Sequence, residues 1–286
     1  MIKYTLIRTG CKCPQACAFC TEHGGGWLPE TAIQDQILRA NKPMNLFFGE
    51  GNPAEHDAIL RVVGLAMFEK VRRIKMKISG PVAPGLLEKL VALGVHLYEV
   101  DCLGADAAVH DALTGRPGAF ATACGIMTRL ARPLRSDGAR VFWIMNVPLC
   151  EMNAPQVTDL VALAARMRPD RLRFINTGTC SLSRLILDLR AACSLLVAGR
   201  IWPVLSGFPF CAVPGLEYFC QELYDPQALR EFPGFCNGCI LRNACCGVDA
   251  DYVERFGEGE FKAITWHRYS KEILDLAGVS DATESI

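Results

Sequence analysis

Cys11-Lys12-Cys13-Pro14-Gln15-Ala16-Cys17-Ala18-Phe19-Cys20 is the stretch on which the reading of this chain turns. Cys13, Cys17 and Cys20 stand in a C-x3-C-x2-C spacing, with Phe19 just before the last cysteine. Three thiolates on one tight loop can hold three irons of a cubane and leave the fourth iron without a protein ligand. Ferredoxin-type runs use C-x2-C-x2-C and close the fourth position with another cysteine. Here the first gap is one residue longer. An open coordination position separates a cluster that does chemistry from one that only stores electrons.

Working outward, Ile2 to Arg8 reads as a strand that feeds this loop directly. The apolar run Asn45 to Phe48 reads as a short buried strand and ends in Gly49-Glu50-Gly51-Asn52-Pro53. Helical and strand-like runs then alternate, as in parallel β/α units. Helices are expected at 31–40, 54–68, 85–93, 120–131, 155–166 and 183–198, and further strands at 75–79, 96–101, 140–147 and 171–175. Between strand four and its helix, His110 to Phe120 reads as a long loop. Six such units are too few for a full eight-stranded barrel of about 250 residues. They suit an open, partial (β/α)6 barrel over residues 1–204, followed by a small Cys-rich extension over 205–286.

The cysteine loop resembles the signature of the radical S-adenosylmethionine (SAM) enzymes, and Gly49-Glu50 resembles their Gly-Gly-Glu-Pro turn. Phe48 replaces the first glycine, and Gly51-Asn52 separate Glu50 from Pro53. The resemblance implies that Cys13, Cys17 and Cys20 are the catalytic cluster ligands and that Gly49 and Glu50 hold the SAM amino group, with Phe19 in the cofactor-binding loop. It also implies a flavodoxin- or ferredoxin-like electron donor. Sites in such sheets lie at the carboxyl ends of strands. Ser79, Asp101 and Asn146 fall there and are candidates for the SAM carboxylate, its ribose hydroxyls or the substrate; strand-end polar residues also serve as caps and turn formers. Arg116 could reach a carboxylate, or form a salt bridge with Asp111.

Composition narrows the classes. The chain has 286 residues, 30 basic and 30 acidic side chains, and zero formal net charge. Nothing global suggests nucleic acid or an anionic membrane as partner, and no apolar stretch reaches the roughly 18 residues of a membrane span. Fifteen cysteines, an odd number, without a signal-like N-terminus, point to a reducing cytoplasm and thiolate ligands rather than disulfides.

After Trp202 the composition shifts to Gly, Pro, aromatics and six cysteines. Cys236-x2-Cys239-x5-Cys245 and the Gly215-to-Cys220 run resemble the SPASM or twitch extension of radical SAM enzymes, which carries auxiliary [4Fe–4S] clusters. Six cysteines cannot fully ligate two cubanes. One auxiliary cluster is expected on Cys236, Cys239 and Cys245, completed by Cys211 or Cys220, with Cys211 preferred. A four-thiolate zinc site is the rival. Cys102, Cys124, Cys150, Cys180 and Cys193 read as buried small hydrophobes. The expected activity is an oxidative modification of a precursor peptide, a cross-link or desaturation. Oxidation or epimerisation of a sugar- or cyclitol-like small molecule is the runner-up, and a non-catalytic iron–sulfur or zinc scaffold the reading from another class. Against a peptide, a first strand at residue 2 leaves no room for a leader-binding domain before it.

Overall fold

The computed structural model describes residues 4–17, 19–20, 25–40, 45–221 and 232–277. Seven strands form one open sheet in the order β1-β2-β3-β4-β5-β6-β7. They are β1 (Thr5–Arg8), β2 (Asn45–Gly49), β3 (Arg73–Ile78), β4 (Val95–Asp101), β5 (Phe142–Leu149), β6 (Arg171–Asn176) and β7 (Trp202–Ser206). Sequential order with parallel pairing is what β/α crossovers produce. The register sets Arg8 beside Gly49, Phe47 beside Lys75, and Asp101 beside Asn146.

Residue contacts divide the chain into two compact units, Ile2–Val147 with Asp159–Leu172, and Pro148–Thr158 with Arg173–Ile286. In the first, α1 (Glu30–Arg39), α2 (Ile59–Phe68), α3 (Leu86–Ala92), α4 (Ala107–Thr114) and α5 (Ala119–Leu130) follow their strands. The α2 helix buries Ile59, Val62, Val63 and Ala66, the i, i+3, i+4, i+7 stripe of a helix lying on a sheet. The β3 strand alternates with period two: Ile74, Met76 and Ile78 are buried, while Lys75 and Lys77 lie on the other face. The α6 helix (Val157–Met167) begins in the second unit and ends in the first.

In the second unit α7 (Leu182–Ala198) buries Leu185, Leu189, Ala192, Cys193 and Leu196. Its first turn is held by Glu260. That carboxylate accepts from the Ser181 and Ser183 hydroxyls at 2.5 and 2.6 Å, from the Leu182 amide at 3.2 Å, and from the Tyr252 hydroxyl. Orphan amides at a helix N-terminus favour such an acceptor. Short 3₁₀ turns, α8 (Ala250–Phe256) and α9 (Ser270–Ala277) complete the described residues of this unit.

Two expectations change. Ala107–Thr114 is helical, not loop. The Asp106 side chain caps it by accepting from the Val109 amide at 2.9 Å, and left-handed Gly115 ends it. A seventh strand, Trp202-Pro203-Val204-Leu205-Ser206, lies where the sheet rhythm was expected to stop. Proline lacks an amide donor, but β7 ends the strand order, where a strand tolerates it.

Candidate active site and cysteine cavity

The cysteine loop is held by backbone hydrogen bonds to three other segments. The Lys12 carbonyl accepts from the Asn52 amide at 3.1 Å, the Ala16 amide donates to the Thr114 carbonyl at 2.9 Å, and the Leu28 amide donates to the Thr9 carbonyl at 2.9 Å. Within the loop the Cys20 amide donates to the Cys17 carbonyl at 2.9 Å, forming a tight turn. Gly51, at φ 53°, lies so close that a Cβ would meet the Lys12 carbonyl oxygen at 2.4 Å. A side chain there would push the loop away. Cys13 and Cys17 are half-buried and Cys20 is exposed; Phe19 is partly buried. Burial pushes the Cys17 thiol up to about 12, and the charges of Asp101, Cys13 and Cys20 add to the shift. The three sulfur groups therefore lie within electrostatic reach of one another.

The β2 turn places Glu50 in the left-handed region at φ 64°, a conformation that costs a non-glycine residue about 1–2 kcal/mol. Its carboxylate pairs with Arg8 Nε at 3.1 Å across the β1–β2 register in which Gly49 faces Arg8. Asn52 is fully buried and joins three segments. Besides its amide bond to Lys12, its Nδ2 donates to the Pro81 carbonyl at 3.0 Å and its Oδ1 accepts from the Ser79 amide at 3.2 Å.

Ser79 just after β3, Asp101 at the end of β4 and Asn146, which lies within β5 rather than at its end as expected, come together. The Ser79 hydroxyl donates to Asp101 Oδ2 at 2.9 Å, and Asn146 Nδ2 donates to Asp101 Oδ1 at 3.2 Å. Lys77 pairs with Asp101 at 3.1 Å, and that carboxylate raises the lysine's pKa. Ser79, Asp101 and Arg116 line one cleft with Gln15 of the cysteine loop. A Cβ on Gly80 would meet Pro14 Cγ at 2.8 Å, so the end of β3 lies directly against the loop. Asp111 does not pair with Arg116. Its oxygens accept from the Gly118 and Phe120 amides at 2.6 and 2.7 Å, hydrogen bonds that hold its carboxyl below the usual range. Arg116 is left facing the cleft.

In the C-terminal segment a second cavity is lined by Cys211, Cys236, Cys239 and Cys245, walled by Phe235 and Ile264 among others. Tight turns present the thiols: the Cys239 amide donates to the Cys236 carbonyl, and that of Cys245 to the Arg242 carbonyl, both at 3.2 Å. Burial pushes the Cys211 thiol up to about 11, and the neighbouring Cys245, Cys236 and Cys239 add to it. Cys220 does not line this cavity. It is fully buried, with Sγ 4.0 Å from the Phe208 and Leu216 carbonyl oxygens, and it bridges to Leu205 of β7. The Cys246 thiol turns to the Gly247 carbonyl at 3.3 Å. Cys102, Cys150, Cys180 and Cys193 are buried and Cys124 half-buried. Among the described residues, no three His, Cys, Asp or Glu side chains stand close enough to close on a metal ion. The donor sets, three thiols in one loop and four around one cavity, nevertheless match iron–sulfur ligation in kind and number. Binding a cluster at either place would require the thiols to draw closer.

Among solved structures the chain is similar to Streptococcus suis SuiB bound to the precursor peptide SuiA. The TM-score is 0.59 at 14% identity, over 74% of this chain and 50% of that one. SuiB bound to S-adenosylmethionine gives 0.56 at 14% identity, over 74% and 49%. Methylornithine synthase (PylB) gives 0.51 at 11% identity, over 96% of this chain and 86% of that one. These proteins are radical SAM enzymes. This chain has the radical SAM fold. It spans about half the length of the SuiB chains it matches. No protein-family model matches it, and no curated protein does.

On this radical SAM fold, sequence reasoning missed Asn52 and Lys77. Asn52 was read as part of an insertion between Glu50 and Pro53, yet it joins the cysteine loop to the third strand end. A strand followed by Gly-x-Gly-Asn could have flagged it, because asparagine bonds backbone groups in tight turns. Lys77 carried the signal of period two: it shares a face with Ser79, two residues on.

Proposed function

We propose that this chain is a radical SAM enzyme in which Cys13, Cys17 and Cys20 hold a [4Fe–4S] cluster that binds SAM. When bound, that cluster and SAM supply a 5′-deoxyadenosyl radical, which abstracts a hydrogen atom from the substrate. The chain's own residues bind and orient. Glu50, on its Gly49 turn, accepts the SAM ammonium group in exchange for Arg8; Phe19 packs the loop. Arg116 receives a carboxylate, and Ser79, Asp101 and Asn146 offer hydrogen bonds to hydroxyl groups. The observation that carries this reading is the cleft in which Gln15 of the cysteine loop meets Ser79, Asp101 and Arg116. Radical SAM chemistry needs its cofactor site at the strand ends beside the cluster loop, and that cleft lies there.

The four-cysteine cavity is read as the seat of an auxiliary [4Fe–4S] cluster on Cys211, Cys236, Cys239 and Cys245, in a SPASM/twitch-like extension after residue 204. With no open coordination position, such a cluster suits accepting the electron left after hydrogen abstraction. The net reaction is then an oxidation, a cross-link or desaturation. A precursor peptide is the substrate this reading favours, supported by the likeness to SuiB bound to its precursor peptide. A flavodoxin- or ferredoxin-like protein in the cytoplasm would supply the first electron. A small-molecule substrate is the second reading, favoured by the likeness to methylornithine synthase over 96% of this chain.

The test is anaerobic reconstitution with iron and sulfide, then SAM and dithionite, with 5′-deoxyadenosine measured by chromatography. About eight irons per chain and formation of 5′-deoxyadenosine are expected. About four irons with stoichiometric zinc would replace the auxiliary cluster by a zinc site. No 5′-deoxyadenosine from iron-loaded protein would remove the radical SAM reading. Mass spectrometry after co-expression with candidate precursor peptides separates the two substrate classes.

A further inference from the structure

The face of β3 and β4 that carries Ser79 and Asp101 also carries Lys75, Lys77 and Glu99. Lys75 Nζ lies 2.9 Å from Glu99 Oε1, and Lys77 Nζ lies 3.1 Å from Asp101 Oδ2. Asn146 Nδ2 joins the two carboxylates, donating to Glu99 Oε2 and Asp101 Oδ1 at 3.2 Å each. Glu99 is 3% exposed, and the Asp101 side chain 12%. The other face of the same strands is filled by Ile74, Met76, Ile78, Tyr98 and Val100. Lys77 keeps 31% of its side chain exposed, but Lys75, Glu99 and Asp101 are largely withdrawn from water; burying such charges is costly, and apolar residues of similar volume usually serve stability as well or better. The fold alone therefore does not account for two ion pairs here.

The upper pair is coupled to the cysteine loop. Asp101 accepts from the Ser79 hydroxyl, the Ser79 amide donates to Asn52 Oδ1, and the Asn52 amide donates to the carbonyl of Lys12, the residue before Cys13. Gly80 lies against Pro14, between Cys13 and Gln15. Asp101 also lines the cleft that Gln15 of the cysteine loop enters, so the pair stands beside the loop that carries Cys13 and Cys17.

We propose that the Lys77–Asp101 pair sets the reduction potential of the cluster held by Cys13, Cys17 and Cys20, Lys77 raising it and Asp101 lowering it. This rests on the reading of the loop as a cluster site. Reduction adds one negative charge to the cluster. A fixed ammonium nearby stabilises the reduced form, a fixed carboxylate the oxidised form, and partial burial keeps both from being screened away. As a pair they largely cancel, so each single substitution uncovers the other charge. Lys77 and Asp101 are thus positioning charges, distinct from the cysteine ligands. Lys75 and Glu99 sit two residues further back along each strand and act more weakly.

The experiment is an anaerobic redox titration of the reconstituted full chain, followed by the electron paramagnetic resonance signal that Cys17→Ala removes. Lys77→Gln is expected to move that midpoint to more negative potential and Asp101→Asn to more positive potential. Lys77→Gln/Asp101→Asn should fall between them, and Lys75→Gln should shift it less than Lys77→Gln. Asp101→Asn keeps the side-chain shape and carries the test by itself if Lys77→Gln does not fold. Unchanged midpoints, or single substitutions shifting in the same direction, would overturn the proposal while leaving the cluster assignment standing. If the unsubstituted protein has no signal that Cys17→Ala removes, the loop assignment itself falls.

Discussion

The two cysteine regions differ in what surrounds the sulfur. In the N-terminal loop, three half-buried or exposed thiols stand beside a cleft lined by Gln15, Ser79, Asp101 and Arg116, with the partly buried Lys77–Asp101 pair beside it. In the C-terminal cavity, four thiols share walls with Phe235, Val248 and Ile264. Three donors beside polar, hydrogen-bonding strand ends suit a cluster that must receive a charged cofactor. Four half-buried donors among aromatic and aliphatic groups, with Arg242 and Lys262 also lining the cavity, suit a cluster that only exchanges electrons, because full ligation bars substrate. On the proposed reading, the number of thiols separates the work of the two regions.

The largest expected effect breaks the comparison at its first member. Cys13→Ala/Cys17→Ala/Cys20→Ala should abolish 5′-deoxyadenosine formation altogether while about four irons remain in the C-terminal cavity. Residual SAM cleavage by that variant would transfer the catalytic role away from the loop.

The second prediction sets Cys211 against Cys220. Cys211→Ala should remove about four irons and stop product formation, while abortive SAM cleavage by the loop continues. Cys220→Ala should keep the full iron content, because that sulfur faces the Phe208 and Leu216 carbonyls rather than the cavity. Its cost is a small loss of stability, about 1 kcal/mol for one buried sulfur. Iron loss from Cys220→Ala would reverse the two assignments.

How much of this was legible beforehand follows from the physics of each segment. The β/α alternation was plain because helices such as α2 bury a stripe and strands such as β3 a face. The α4 helix hid behind Gly115 and Pro117, turn residues that made its second half look like loop; the Asp106 cap was its only local sign. Pro203, with Gly207 and Pro209 soon after it, hid β7, whose strand character comes from pairing rather than composition. The loop cysteines were legible from spacing alone. The choice between Cys211 and Cys220 was not, because both follow Pro/Gly turns and only the path back along Leu205 turns Cys220 inward. Lys77 was passed over because a lysine in a strand reads as a solvent-facing residue until its partner on the next strand is known.

A smaller effect sharpens the cofactor side. Glu50 holds a left-handed conformation at φ 64° and pairs with Arg8, whose side chain is 65% exposed. Glu50→Gly should remove about 1–2 kcal/mol of backbone strain and lose the half-exposed Arg8 pair, about 1 kcal/mol. Folding stability should therefore hold or rise slightly. SAM affinity, measured by calorimetry, should fall tenfold or more, the loss of one charge-assisted contact of about 1.5–3 kcal/mol. Unchanged affinity would make Glu50 a turn residue only.

The smallest effect concerns the latch on α7. Burial by itself would raise the Glu260 pKa, but hydrogen bonds from Ser181, Ser183 and Tyr252 outweigh it and hold the carboxyl at about 2. A carboxyl depressed in the folded state stabilises above its unfolded pKa, near 4.5, and loses that contribution as pH falls towards 2. At pH 6 the Glu260→Gln variant should be less stable than the parent by roughly 1 kcal/mol, since the site is partly exposed and solvent screens the charge. At pH 3 the two should lie closer together, because protonation begins to remove from the parent what the substitution removes from the variant. Denaturant melts at both pH values read this directly. A gap of equal size at pH 6 and pH 3 would show that neutral hydrogen bonds to the Ser181 and Ser183 hydroxyls, and not the carboxylate charge, hold the first turn of α7.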